Sequence, residues 1–264
     1  MVGQPPLQRV LAARSLRGTT IIILGILLVL SFPLFGQQTY VTRYDVYGGY
    51  AFLNSPSVNL FEHGFAAQIG VRPKTWLSVG FDYTYGSGDL RITPSQLLPS
   101  LQTQLQHGIA AGIMAGVLPP NYPYSTLSVA AHSKTQTYTI GPELVYRHFS
   151  KVTLFLRPVY AGIIHETATP QPSDPVLKAL VSGLISTPSK TDNVWFFGFG
   201  GGFDILFGKH FAWRTQSDLV HDHLFNDLLT NGRYTVRFSS GPAFNFGKNI
   251  ANKKTTAQLQ PSKK

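Results

Sequence analysis

The sequence predicts an all-β chain, an eight-stranded antiparallel transmembrane β-barrel with long extracellular loops, and three observations predict it. Aromatic residues recur at every second position, connections alternate between tight turns and long loops, and charged residues collect on one strand face. The pattern is clearest from Asn193 to Phe207, where Phe197, Phe199, Phe203, Ile205 and Phe207 share one parity and Gly198, Gly200, Gly202 and Asp204 share the other. One face suits lipid and the other does not. A soluble sheet more often carries aliphatics on its apolar face and needs a second layer to cover it, and nothing elsewhere in the chain supplies that layer.

At 264 residues and a mean hydropathy of +0.03 the chain is too polar for a helical membrane bundle. A barrel escapes hydropathy because half of every strand faces inward. Residues 1–36 read as a secretory signal peptide: a polar stretch with Arg9, Arg14 and Arg17, an apolar core from Ile21 to Leu30, then Ser31, Pro33 and Gly36. The competing reading is an uncleaved anchor helix, but the apolar run is short for a span and no basic stop-transfer cluster follows it. Leu34 stands where a small residue is preferred before the cut. The absence of cysteine removes thiolate catalysis and thiolate metal sites. The net charge of +10 divides unevenly: three of 22 basic residues lie in the signal segment and five (Lys248, Lys253, Lys254, Lys263, Lys264) in the tail, leaving 14 against 12 acids. The barrel region, residues 37–247, is therefore nearly neutral, and no basic stripe points to nucleic acid. Residues 248–264 read as a basic disordered periplasmic tail.

Period-two runs bounded by Gly, Pro, Asn and Ser place strands near 42–53, 64–73, 76–86, 134–148, 152–166, 193–207, 210–220 and 233–246. Each is about long enough for the nine to eleven residues of a tilted span. Connections after the second, fourth and sixth strands are tight, at Lys74-Thr75, Phe149-Ser150-Lys151 and Gly208-Lys209. Those after the first, third, fifth and seventh are longer, near 54–63, 87–133, 167–192 and 221–232. Short turns at one end and long loops at the other place both termini on the periplasmic side.

The inward parity holds Asp45, Gln68, Arg72, Asp82, Glu143, Arg157, Asp204, Arg214, Asp218 and Arg237, and opposite charges in a low-dielectric lumen must pair. An eight-stranded barrel is just wide enough for side chains to fill, so the lumen is expected to be plugged. The outward parity holds Phe81, Tyr83, Tyr138, Tyr160, Trp213, Phe238, Phe244 and Phe246 beside the aromatics Phe197, Phe199 and Phe203. Pro142, Pro158 and Pro242 fall inside strands, each removing a ladder donor, and bulges are expected there.

Three stretches carry a family likeness: GGGFDILFGKHFAWR at Gly200–Arg214, YTIGPELVYRHFSKVTLFLRP at Tyr138–Pro158, and VRFSSGPAFNFG at Val236–Gly247. Together they resemble the small OmpA/OmpX-like outer-membrane barrels over about residues 40–247. The resemblance implies the outer membrane of a Gram-negative bacterium, contact with its lipid and lipopolysaccharide, and insertion by the outer-membrane assembly machinery. Such barrels commonly end on an aromatic residue, whereas here Phe246 is followed by the tail.

Loops two and three carry the remaining signals. Leu97, Leu98, Leu101, Leu105, Ile109, Ile113 and Val117 have largely helical spacing, and Asp174-Pro175 opens a second helical run through Val176, Leu177, Leu180, Val181, Leu184 and Ile185. Such helices cap the mouth, lie on the outer leaflet, or form a groove for an unknown extracellular ligand. His221-Asp222-His223, with His132, His165 and Glu166, is the one candidate metal cluster, but its spacing fits no established ligand set. Ser133 beside His132 is the candidate for ester chemistry, yet adjacent strand residues point to opposite faces. Gly200-Gly201-Gly202 lies mid-strand without a following helix, so small residues letting neighbours cross the lumen account for it better than a phosphate loop. The reading that results is a non-enzymatic barrel with a structural or surface-interaction role, no cofactor and no metal. A narrow pore or carrier of small apolar solutes is the alternative, and a lipid-modifying enzyme is the second.

Overall fold

The computed structural model describes residues 38–251, except 123, 125, 126, 174 and 186, and of Val176 only the backbone. The expected signal peptide, the proposed capping residue Asp174 and residues 252–264 of the tail lie outside the described residues. Eight antiparallel strands, each paired with its sequence neighbours, close into a barrel: β1 Thr42–Ser55, β2 Leu60–Lys74, β3 Leu77–Ile92, β4 Val129–Tyr146, β5 Val152–Gln171, β6 Lys190–Leu206, β7 Phe211–Asp222 and β8 Arg233–Asn249. Closure comes from β1 pairing with β8, Tyr44 opposite Phe246 through Asn54 opposite Val236. With every strand paired on both sides, the wall has no open sheet edge.

Most strands run past their expected limits at the loop end. Asn54, Glu62 and His63 read as loop because they are polar, but they pair with Phe61, Leu53 and Phe52. The first connection is therefore a 3-10 turn at Pro56–Val58 followed by Asn59 in the left-handed region, not a long loop. The other three connections at that end stay longer, at residues 93–128, 172–189 and 223–232. At the opposite end β8 continues through Lys248 and Asn249, which the sequence reading assigned to the tail.

The prolines divide into two kinds. Pairing between β4 and β5 shifts between Ile140 and Leu144, and pairing between β5 and β6 shifts between Arg157 and Tyr160, so Pro142 and Pro158 share one irregular patch. The extra residue at Pro158 reverses the parity of β5: Val159 faces out, and Tyr160, expected on the lipid side, is buried in the lumen at 1% exposure. Pro242 makes no bulge. It stays in register opposite Trp213, and on the β1 side the ladder skips Gly241 and Pro242 without shifting. A Cβ on Gly241 would meet the Gly48 carbonyl and the Gly49 Cα at 2.4 Å, so the glycines let two backbones close up where the proline removes a bond.

The two faces of the wall have opposite chemistry. Outward lie exposed aromatics and aliphatics on all eight strands, and inward lie the charged and hydroxyl side chains. That inversion of a soluble protein's arrangement is the physical mark of a membrane-spanning barrel. Two helices stand in the loops, α1 at Pro99–Met114 and α2 at Pro175–Leu184, each beginning on proline, whose missing N–H costs nothing at a first turn.

Candidate functional site

The lumen is built from the inward parity of the ladder. Arg214 on β7 makes a two-pronged pair with Asp204 on β6, at 2.8 and 3.0 Å, and also reaches Asp45 on β1 at 3.1 Å and the Gln68 carbonyl on β2 at 2.7 Å. Asp45 in turn holds Arg72 at 3.1 Å. Arg157 on β5 is bonded to Asp82 on β3 and lies 3.7 Å from Glu143 and 3.5 Å from Asp218. Asp218 also accepts from Arg237 at 2.9 Å. Aromatic rings complete the packing, with Arg157 4.7 Å above Tyr160 and Arg214 5.0 Å from the Phe155 ring. Asp45, Arg72, Asp82, Glu143, Arg157, Asp204, Arg214, Asp218 and Arg237 are thus brought into one network that crosses the lumen.

The glycine run of β6 makes room for that network. A Cβ on Gly198 would strike the Tyr160 ring, one on Gly200 the Asp218 carboxylate at 2.0 Å, and one on Gly202 the Phe155 ring at 2.7 Å. Below the network, Gln38 donates to the carbonyls of Phe149 and Val152, and Arg147 donates to the Gln38 carbonyl at 3.1 Å, tying the start of the barrel to the turn after β4.

A second charged group near the loop end was missed by the sequence reading. Arg233 bonds both oxygens of Glu166 and lies 2.9 Å from Asp222. Ser133 donates to Glu166 at 3.0 Å and Thr135 to Glu62 at 2.9 Å. Each of these residues continues an inward parity already identified, Glu62 that of Gln68, Asp222 that of Asp218 and Arg233 that of Arg237. Glu166 joins them because of the Pro158 bulge. For Glu62, Asp222 and Ser133 the signal was present but the expected strands stopped short of them, whereas Arg233 stood at the first position of its expected strand on the inward parity and was not carried into the lumen set.

Above this level the lumen turns apolar. Leu60, Leu90, Ile164, Phe196 and Val220 from the wall pack with Leu224, Phe225, Leu228 and Leu229 from residues 223–232. That loop, read from sequence as a plain connection, folds into the mouth, Phe225 adopting a positive φ of 56° to do so. The helices lie over it. Leu105 and Ile109 of α1 are buried with Leu97 and Leu118, and Leu180 and Leu184 of α2 pack against them. Leu97 precedes the helix and bridges to Leu229, while Val117 follows it and is exposed. Between α1, α2 and Phe225 lies a cavity of about 70 Å³, whose polar lining side chains are Thr93, Ser128 and Lys190. One water needs about 10–15 Å³ and two to four polar partners. The space is ample for several waters, and the lining offers them few partners.

Apart from Tyr160, the expected outward aromatics stand on the outer face of the wall. Phe81, Tyr138, Phe197, Phe199, Phe203, Trp213, Phe238, Phe244 and Phe246 are exposed, and Tyr83 is half-buried between Phe65 and Tyr138, ring centres 5.8 and 5.1 Å away. The histidine cluster is dispersed. His221 and His223 touch edge to face at 4.8 Å, but Glu166 and Asp222 turn inward to Arg233. Among the described residues no group of three or more His, Asp or Glu side chains converges so as to hold a metal ion. Ser133 is buried in the lumen, facing away from His132. His132 instead lies on the outer wall with Nε2 3.2 Å from Ser87 Oγ and Nδ1 3.1 Å from Asp89 Oδ1.

No protein-family model matches the chain, and no curated protein matches it. Among solved structures it is similar to Ail, the attachment invasion locus protein of Yersinia pestis, at 11% identity and a TM-score of 0.42, covering 78% of this chain and 99% of that one. It is also similar to Neisserial surface protein A, at 11% and 0.44 over 77% of this chain and 96% of that one. A third is the outer membrane protein OprG from Pseudomonas aeruginosa, at 9% and 0.44 over 80% and 99%. The assignment of this chain as a closed eight-stranded antiparallel barrel rests on its own strand pairing and two-faced wall.

Proposed function

We propose that this chain is an outer-membrane barrel with a structural or surface-interaction role, its wall serving as anchor and its loop cap as the working surface. The supporting observation is the contrast along the lumen: eight buried carboxylates and five buried arginines block it, whereas the cap above encloses an apolar cavity. A lumen filled by paired charges leaves no continuous water path. In this reading residues 1–36 direct export, the aromatic belt meets outer-membrane lipid and lipopolysaccharide, the assembly machinery inserts the barrel, and α1 and α2 face an extracellular ligand. The lumen and the cap bind and hold; neither performs chemistry.

The cavity favours one part of the alternative reading, the capture of small apolar solutes, because its lining offers dispersion contacts and few polar partners. Passage through the barrel is a separate matter, and the plug opposes it. The test is conductance of the purified protein in planar bilayers, beside a variant with residues 97–127 replaced by a short Gly-Ser link. The reading expects heat-modifiable mobility on gels from both and steady conductance from neither. Channels that appear on removing the cap would make the cap a gate and the protein a pore.

A further inference from the structure

The outer wall carries chemistry that neither lumen nor cap uses. Along β3 the outward residues run Phe81, Tyr83 and Tyr85, then Ser87, Asp89 and Arg91; along β4 they run Ile140 and Tyr138, then Gln136, Lys134 and His132. The change from aromatic to polar on both strands marks the level where bilayer gives way to water. Just beyond it the ladder sets Ser87 opposite Lys134 and Asp89 opposite His132. Ser87 Oγ lies 3.2 Å from His132 Nε2, and His132 Nδ1 lies 3.1 Å from Asp89 Oδ1. Each ring nitrogen meets the group that serine-type acyl transfer requires of it, and all three residues stand on paired strands, not on a loop.

We propose that Ser87, His132 and Asp89 form a serine-type hydrolytic site on the outer wall, acting on carboxylic esters of anionic, phosphate-bearing amphiphiles at the bilayer surface. This goes beyond the anchoring role and does not depend on the cap. The substrate class follows from place and charge. An acyl chain lies along the aromatic belt below the site, while Lys134 and Arg91 on the same face meet phosphate at headgroup level. In the first step Ser87 Oγ attacks the ester carbonyl carbon, His132 Nε2 takes the serine proton, and the carbonyl electron pair moves to oxygen. Lys134, across from Ser87, is the cation placed to meet that oxyanion. Collapse restores the carbonyl, breaks the bond to the alcohol oxygen and returns the proton from His132 to it. Water, deprotonated by the same Nε2, then attacks the acyl-serine and frees the acid as the proton returns to Ser87. Ester and water become acid and alcohol, with no redox partner. The Asp89 side chain is 79% exposed and that of His132 37%. In open water such a pair is solvated, and lipid headgroups that cover the face displace water and strengthen it. Turnover should therefore be faster on esters in a bilayer than on a short soluble ester.

The test uses the full chain refolded into phosphatidylcholine vesicles, with Ser87→Ala, His132→Ala and Asp89→Asn compared after each shows heat-modifiable mobility. A fluorophosphonate probe should label Ser87, located by peptide mass, and Ser87→Ala should abolish the label. Fatty-acid release from added phosphatidylglycerol or lipid A should fall at least about 100-fold in Ser87→Ala and His132→Ala. Asp89 is a positioning residue, so Asp89→Asn should lower the rate and displace the limb of the pH–rate profile set by His132, which a merely structural role would leave in place. Release from phosphatidylglycerol alone would assign phospholipid, and from lipid A alone lipopolysaccharide; either supports the proposal. A folded protein that takes no label and releases acid from neither, or a Ser87→Ala variant that still releases it, overturns the proposal.

Discussion

One lumen is filled in two ways. Toward the turns it is charged and directional, with Arg157 and Arg214 each joining residues from several strands. Toward the loops it is apolar, closed by Leu224, Phe225, Leu228 and Leu229 and roofed by α1 and α2. Ion pairs need partners fixed to within a fraction of an ångström, and a closed ladder supplies that. Loops supply no ladder, so the mouth is sealed by burial, which tolerates small displacements because it has no preferred direction. The rigid part of the wall carries the interactions that demand rigidity.

The largest expected effect tests the charged half. Arg157→Met leaves Asp82, Glu143 and Asp218 facing one another without their shared cation, and breaking such a buried set typically costs about 3–5 kcal/mol. Urea unfolding in vesicles, followed by gel mobility, should show a large fall in the midpoint or failure to insert; an unchanged midpoint would mean that the plug does not hold the barrel together. A smaller loss, about 1–3 kcal/mol, is expected for Gly200→Ala, whose methyl enters the space of the Asp218 carboxylate. The same measurement checks it, and a neutral result would show that the network has slack. The smallest global effect belongs to the cap. Leu105→Ala should move the barrel midpoint by less than about 0.5 kcal/mol because the helix unfolds on its own, yet it should speed proteinase K cleavage within residues 97–127. A large midpoint shift instead would join cap and barrel into one cooperative unit and erase the contrast.

Much of the wall was legible because period-two alternation is a local property. Phe197 and Gly198 declare their faces whatever the neighbouring strand does, and Arg214 and Asp204 could be placed inward before any partner was known. Tyr160 could not be placed, because a one-residue shift at Pro158 reverses every face beyond it and is agreed between two neighbouring ladders. Glu62 and Asp222 were lost for another reason: polar strand ends look like loops until pairing extends them. The outer-wall contacts of Ser87, His132 and Asp89 join residues 43 and 45 positions apart in sequence, which no local pattern relates.

The sequence by itself determined that the chain alternates, that one face must avoid water and the other must pair its charges, and that the long connections all lie at one end. These follow from single-strand geometry and composition, which need no knowledge of neighbours. Only the tertiary structure decided which arginine serves which carboxylate, that the loop after β7 folds into the mouth, and that a serine, a histidine and an aspartate meet on the outer wall. Register between strands decides those contacts, and register is a property of the closed ladder, set jointly by all eight strands.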